Sequence, residues 1–568
     1  MKEFAFISNQ MTSALISLDT NVAWFPAPRF DSSPIFASIL DEEHGGEFKV
    51  VPEGKVISTS REYLTYNVLR TTTYAEGGEV TVTDLLPIGE PAIIRKVEAE
   101  IPVRVKVYPT FNYALHRPVI KFHRDAVQFL NPIGDDCVGF VYGKGEREGN
   151  EVLLPKGTHF LYLVYFKNAK HGLFSEKSAK LSLDVEEAFN RTVSFWREKE
   201  RRAEGKLARG SYTVLYGVVY SPTSAPVASP TTSLPEVVGG KRNWDYRFAW
   251  VRDSSIVAQD LIEVGEVVTG RRILNFLLGL VNFTSKPFRH PLYTADGEDP
   301  PAEVELKWLP GYKGSSPVRV GNKASEQLQL DVEGFFMSAL WKYYEKTGDL
   351  VFLKEVEGKV KYIADWVSRN WGLIDASIWE ERGVSRHYTH SKAMMWVALK
   401  RAGDIMRELG EEDYWEESRE KLRQWVFSNC VHAGYLTRYA GSTDVDSALL
   451  SLPLYGFVDV KDEVFLRTLR KVEENLKVGP FVKRYASDFM GEAKHPFLLT
   501  TLWLARVYAR LGRKEEAVKV VEELNKLSPL GLVGEHVDVK EGDFTGNFPQ
   551  AFVHAELLVL LKELGVKL

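Results

Sequence analysis

Met394-Met395-Trp396-Val397-Ala398-Leu399 is apolar at every position and lies inside a stretch, 390–410, whose 3.6-residue periodicity predicts a helix. A helix that is apolar all round has to be buried on most of its surface. The next predicted helix, 411–429, carries one apolar face and a long charged one. Working outward from this pair, periodicity and breakers mark twelve candidate helices near 207–221, 253–265, 266–283, 325–347, 349–371, 390–410, 411–429, 443–456, 460–477, 494–512, 514–528 and 548–565. An inner ring buried on most sides and an outer ring facing water make a double-layered helical toroid, the architecture expected for residues 207–568. A helical-repeat solenoid has less support, because no fixed period or repeated signature recurs.

The preceding half of the chain has a different rhythm. Phe4–Ile7, Ala14–Ser17, Lys49–Ile57, Glu62–Thr73 and Glu79–Leu86 are short, β-branched or alternating, and separated by turn signals. Ile101–Tyr108, Cys137–Tyr142 and His159–Tyr165 continue the pattern. The turn Ala75-Glu76-Gly77-Gly78, followed by the alternating Glu79-Val80-Thr81-Val82-Thr83, marks a hairpin. An antiparallel β-sandwich is therefore expected over 1–184. A linker helix is expected over 185–206, where Val185 to Trp196 offers one apolar face before the charged run from Arg197.

Composition narrows the function classes. The 568 residues are 44% hydrophobic and 26% charged, with a net charge of −5 and mixed signs, so neither nucleic acid nor an anionic membrane is an expected partner. No apolar run of about 18 residues and no signal peptide is visible. The only cysteines, Cys137 and Cys430, exclude a disulfide framework, and a cytoplasmic location is expected. Abundant Lys, Glu and Val with few Cys and Met suit a thermophilic source. The 13 Trp and 24 Tyr suit a large core and stacking on flat neutral ligands. Two long segments, 222–252 and 284–324, carry Trp244, Tyr246, Trp250, Trp308 and Tyr312. They are expected to wall a pocket at one end of the toroid.

The candidate chemistry lies in scattered strings. Ile378-Trp379-Glu380-Glu381-Arg382-Gly383 places acids and an arginine beside a large aromatic, which reads either as a sugar site or as a solvated loop anchored by one Trp. Trp250-Val251-Arg252-Asp253 reads either as a helix start capped by Asp253 or as a forked donor and carboxylate gripping vicinal hydroxyls. His387 and His390 are the closest histidine pair, but without an HExxH motif they read as structural, and no metal or cofactor is expected. No phosphate loop and no Gly-x-Ser-x-Gly elbow occurs.

In order, Thr231–Glu236, Gly239-Gly240-Lys241-Arg242-Asn243-Trp244-Asp245-Tyr246-Arg247, Trp250–Asp253, Gly311-Tyr312 to Gly321-Asn322, Gln327–Asp331, Ile378–Gly383, Arg386–Lys392, Gly531–Asp538 and Gly546–Phe552 resemble glycoside hydrolase family 15. Trp24 and Pro28-Arg29-Phe30-Asp31-Ser32 resemble the family's leading β domain. The resemblance implies a β-sandwich, a linker helix and an (α/α)6 barrel. It implies Glu380 as general acid and Glu535 as general base, with Arg252 and Asp253 holding the non-reducing glucose. Trp250, Trp379 and Glu381 are implied around the first two sugars, and Arg484 near the leaving one. The implied activity is an inverting, exo-acting α-glucosidase that releases β-D-glucose from α-glucans or malto-oligosaccharides. Trehalase and glucodextranase are the alternatives within the family, and a phosphorylase or a non-catalytic sugar-binding protein lies outside it. Two departures stand out. Glu535-His536 replaces a frequent Glu-Glu, and Ala376-Ser377 lies where Gly is common.

Overall fold

The computed structural model describes residues 1–167, 171–200 and 203–567, apart from the side chains of 171–183. Its α-helices are α1 (His171–Lys199), α2 (Lys206–Gly217), α3 (Val251–Glu263), α4 (Val267–Leu280), α5 (Val332–Thr347), α6 (Leu350–Asn370), α7 (Thr389–Glu408), α8 (Glu416–Asn429), α9 (Glu463–Leu476), α10 (Leu498–Arg510), α11 (Lys514–Leu527) and α12 (Ala551–Leu564). A 3-10 helix, Ser447–Ser451, lies between α8 and α9. Packing closes a ring: α3 lies on α5, α5 on α7, α7 on the 3-10 helix, that helix on α10, α10 on α12, and α12 on α3. The other helices pack behind it, α4 on α3, α6 on α7, α8 on α7, α9 on the 3-10 helix, α11 on α10 and α2 on α12. This is the expected (α/α)6 toroid.

Side-chain pattern sorts the two layers. Every residue of α10 from Leu498 to Tyr508 is buried, as an inner helix requires. In outer α9 the buried residues are Phe465, Thr468, Leu469, Val472 and Leu476, a single stripe at helical spacing. All of Met394–Leu399 is buried except Trp396, which is partly so. Neighbouring inner helices approach closely where α5 has Gly334. A Cβ there would sit 2.1 Å from the Met394 carbonyl oxygen of α7.

Three helix expectations need correction. The stretch 443–456 forms only the short 3-10 helix and turns, because Pro453 has no amide hydrogen to extend the helix and Gly456 turns at φ 87°. The helix expected from 325 starts at Val332. Residues 323–326 form a separate 3-10 turn capped by the Asn322 side chain. The linker helix expected at 185–206 begins at His171 and ends at Lys199. Gly172, Ser175, Ser178 and Ser182, all poor helix formers, hid its first turns in the sequence.

Among the described residues three antiparallel sheets precede the toroid. The largest orders Val119–Phe122, Ala126–Leu130, Cys137–Val141, Gly157–Phe166, Ala92–Ala99, Gly78–Leu85, Val68–Ala75 and Val56–Thr65. A second joins Glu146–Glu148, Glu151–Leu154, Val103–Tyr108 and Glu47–Pro52, and a third runs from Ala5–Ser8 to Pro34–Phe36. The strand expected at 62–73 is a hairpin bent at Asn67, φ 57°. Ala92–Ala99 escaped the sequence reading because its first four residues are all buried, which removes the alternation. In it, fully buried Arg95 forks onto Asp84 of the adjacent strand at 2.7 and 3.1 Å. Among the described residues no helix is long and apolar enough to cross a membrane.

The sheets and the toroid meet at Arg247. Its guanidinium donates to Asp245 (2.9 and 3.0 Å), the Ser32 carbonyl (2.9 Å) and the Tyr113 hydroxyl (2.8 Å), and it lies over the Trp24 ring. Both members of the ion pair are fully buried. Removing one partner strands the other, so Arg247→Met should cost about 3–5 kcal/mol and lower the thermal unfolding midpoint. The double variant with Asp245→Asn should regain most of that loss. Equal midpoints for the single and double variants would refute the pairing as the cause.

Candidate active site

Loops at one end of the inner ring bring together residues from five distant stretches. A cavity is walled by Trp250, Arg252 and Asp253 at the start of α3, by Trp379 and Glu380 from the α6–α7 connection, and by Arg484 and Phe497 ahead of α10. Glu535, with Gln550 and Phe552 at the start of α12, completes it. A second cavity shares Tyr246, Trp379, Glu380 and Arg484 with the first.

Glu380 stands at the junction. Its backbone is left-handed, φ 56°, which is rare for a non-glycine residue and costly for a long side chain. Its Oε2 accepts from Trp250 Nε1 and Gln329 Nε2, both at 2.8 Å, and Arg252 Nη1 lies 3.7 Å away. Arg252 is itself fixed by Asp331 (3.0 Å) and by the Gln329 amide oxygen (2.5 Å). The occupied Oε2 leaves Oε1 as the oxygen available to a ligand. Asp253 is not a helix cap. Trp250 holds that position, and Asp253 lies inside the first turn, buried in the cavity wall. Burial first, then the carboxylates of Glu380 and Glu535, push its carboxyl up to about 7, against the opposing pull of Arg252.

Glu535 is 3% exposed, and its Oε1 lies 3.0 Å from His536 Nε2. Glu236 pairs with Arg484 at 2.8 Å. Tyr246, between these groups, has its phenol pushed well up by burial, then by Glu535 and Glu236, so it stays a hydrogen-bond donor. Among the described residues Glu236, Glu535 and His536 are the one set whose ligand atoms converge as a metal site would require, within 4.8 Å. The guanidinium on Glu236 already supplies positive charge there.

Seven of the eight residues singled out in the sequence line the first cavity. Glu381 does not. It is buried, accepting from the Tyr388 hydroxyl and from Arg438 Nη2 at 3.4 Å, because the turn that exposes Glu380 swings the next side chain into the wall. Arg382 is held by Glu303 at 2.7 and 2.8 Å. His390 is buried in α7, with its imidazole pushed down to about 4 by burial, and His387 precedes the helix, so the two share no helix face. Segment 222–252 contributes Glu236, Arg242, Trp244, Tyr246 and Trp250 to the cavities, whereas 284–324 contributes only Asn322 and Ala324. Trp308 instead donates to the Tyr113 carbonyl at 2.8 Å. Sequence reasoning placed Tyr246 in the pocket wall, as the structure does, but missed Glu236 and Gln329 as site residues. Each lies inside a quoted motif block, and no local pattern singles it out there.

A toroid with Glu380 and Glu535 in one cavity at the end of its inner ring suits an O-glycosyl hydrolase. The chain belongs to glycosyl hydrolase family 15: the model described as "Glycosyl hydrolases family 15" matches residues 207–527, and "Trehalase-like, N-terminal" matches 1–132. Trehalase 1 of Sulfolobus acidocaldarius is 50% identical, covering 99% of this chain and 98% of that protein. Trehalase 2 of the same organism is 39% identical over 99% of both. A bacterial glucoamylase solved with acarbose shares the fold at a TM-score of 0.73 and 15% identity, covering 99% of this chain and 93% of its own.

Behind the cavity wall, Trp379 Nε1 donates to buried Asp446 at 2.8 Å. Burial raises that carboxyl from 3.8 to about 6, opposed by Arg438 and the indole. The folded chain therefore holds a proton there that the unfolded chain releases between about pH 4 and 6. The stability this gives is full below that window and lost as pH rises through it. In Asp446→Asn the fall in unfolding midpoint from pH 4 to pH 7 should be smaller than in the wild type, as differential scanning calorimetry would show. Parallel profiles for the two proteins would contradict the assignment.

Proposed function

We propose that this chain hydrolyses α,α-trehalose to two glucose molecules, with inversion at the attacked carbon. The observation that carries the reading is the 50% identity to a trehalase along 99% of the chain, sheets included. The likeness to a glucoamylase, at 15% identity, concerns the fold alone. The order expected from the motifs, α-glucans first and trehalose as the alternative, is reversed on this ground. The two buried, unpaired cysteines fit a reducing, cytoplasmic setting.

In this mechanism one glucosyl unit occupies the first cavity, held by the Arg252 fork and Asp253, with the apolar faces of Trp250 and Trp379 alongside. The other extends past Glu380 into the second cavity, where the arginines are paired: Arg242 with Asp488, Arg382 with Glu303 and Arg484 with Glu236. A chamber of balanced charge suits a neutral polyhydroxyl ligand. Glu380, protonated on Oε1, gives its proton to the bridging oxygen as the bond from that oxygen to C1 breaks. Glu535 takes a proton from the water that bonds to C1 on the opposite face. Inversion needs the carboxyls about 6.5–9.5 Å apart, leaving room for that water.

A glucose-release panel of trehalose, maltose, isomaltose and soluble starch should show kcat/KM highest for trehalose by at least about tenfold. Maltose or starch at the top would overturn the substrate assignment. Because one ring is attacked and the other leaves with its bond to oxygen intact, early NMR spectra should show β- and α-glucose in equal amounts. An all-α product would rule out inversion. Glu380→Gln and Glu535→Gln should each lower kcat by about 10²- to 10⁴-fold, and near-native turnover in either variant would remove that residue from its role.

A further inference from the structure

The short hairpin Ser487–Glu492 overhangs the second cavity. Its strands, Ser487–Asp488 and Gly491–Glu492, are two residues each, with Phe489 and Met490 at the tip. Phe489 lines the cavity and is 41% exposed. Exposed apolar residues are common and usually need no explanation. This one is held in place by its surroundings. Arg242 forks onto Asp488 at 2.6 and 2.7 Å and donates to the Gly491 carbonyl at 3.2 Å. The Tyr485 hydroxyl donates to Asp488, and Arg438 donates to the Ser487 carbonyl at 2.8 Å. Three side chains from outside the hairpin thus fix both of its strands.

Two of the cavity's other aromatic rings already carry a guanidinium. The guanidinium groups of Arg319 and Arg382 lie 4.4 and 4.3 Å from the Trp244 ring centre. Tyr485 has Arg438 at 4.2 Å and Trp379 edge-on. Phe489 carries no such partner among the described residues and is the most exposed of this cavity's rings, so it has surface to offer a ligand. Sugars present apolar C–H faces to rings of this kind, while the paired arginines and Glu236 address the hydroxyls.

We propose that Phe489 is a specificity residue: the tethered hairpin holds its ring as the platform on which the second, departing sugar stacks. This rests on the reading that a glucoside is cleaved at Glu380, and the test separates the two. Steady-state kinetics of the wild type, Phe489→Ala and Phe489→Trp are compared on trehalose and on α-D-glucosyl fluoride, which has no second sugar. Loss of the ring should raise KM for trehalose about three- to tenfold. kcat should change by less than about threefold, since Phe489 has no group that can take part in proton transfer. Activity on the fluoride should be unchanged, and Phe489→Trp should restore the trehalose KM. An unchanged trehalose KM in Phe489→Ala, or an equal loss on the fluoride, overturns the proposal. If the wild type leaves trehalose intact, the functional reading is what fails, and the same comparison is run on whichever disaccharide of the panel it cleaves.

Discussion

The site depends on one guanidinium. Arg252, in the first turn of α3, reaches across to Asp331 and Gln329 at the entry to α5, and so couples two neighbouring inner helices just below Glu380. A buried charge of this kind is tolerable only when its donors are satisfied, and here the satisfaction is shared between the two helices. The same Gln329 that accepts from Arg252 turns its amide nitrogen toward Glu380 Oε2. The angle between the two helices and the orientation of the acid are therefore set by a single network.

Ring closure was legible in the sequence because burial all round and burial on one stripe leave different patterns, and α10 and α9 show the two extremes. The weak spot was 443–456. Its apolar residues mimic a full helix, and only Pro453 and Gly456 betray the short 3-10 turn that fills the fourth inner place. Strands were legible where one face meets solvent. They were lost in Ala92–Ala99, whose neighbours cover both sides of its first half.

The site was legible only in part, for a different reason. Periodicity reports burial, and catalytic groups are held in loops where periodicity is silent. The ordered motifs pointed to Glu380, Glu535, Arg252 and Asp253, and these meet in one cavity. What no local pattern could supply was direction. Whether the carboxylate at 380 or at 381 faces the ligand is decided by a left-handed backbone at Glu380, and one residue's rotation sends Glu381 to Tyr388 and Arg438. The Ala376-Ser377 departure has a similar cause. Ser377 also adopts positive φ, 67°, where glycine is favoured, and its hydroxyl oxygen is compensated by accepting the Trp379 amide at 3.1 Å.

The left-handed backbone at Glu380 sets stability against turnover at a single codon. A glutamate in that conformation costs the folded state about 1–3 kcal/mol. The hydrogen bonds that Trp250 and Gln329 give Glu380 offset part of that strain. A lineage adapting to heat can gather stability almost anywhere else in the toroid, but here it must leave the strain in place. The position is a fixed conformational debt, and the buried contacts around Arg252 and Gln329 keep the chain folded despite it.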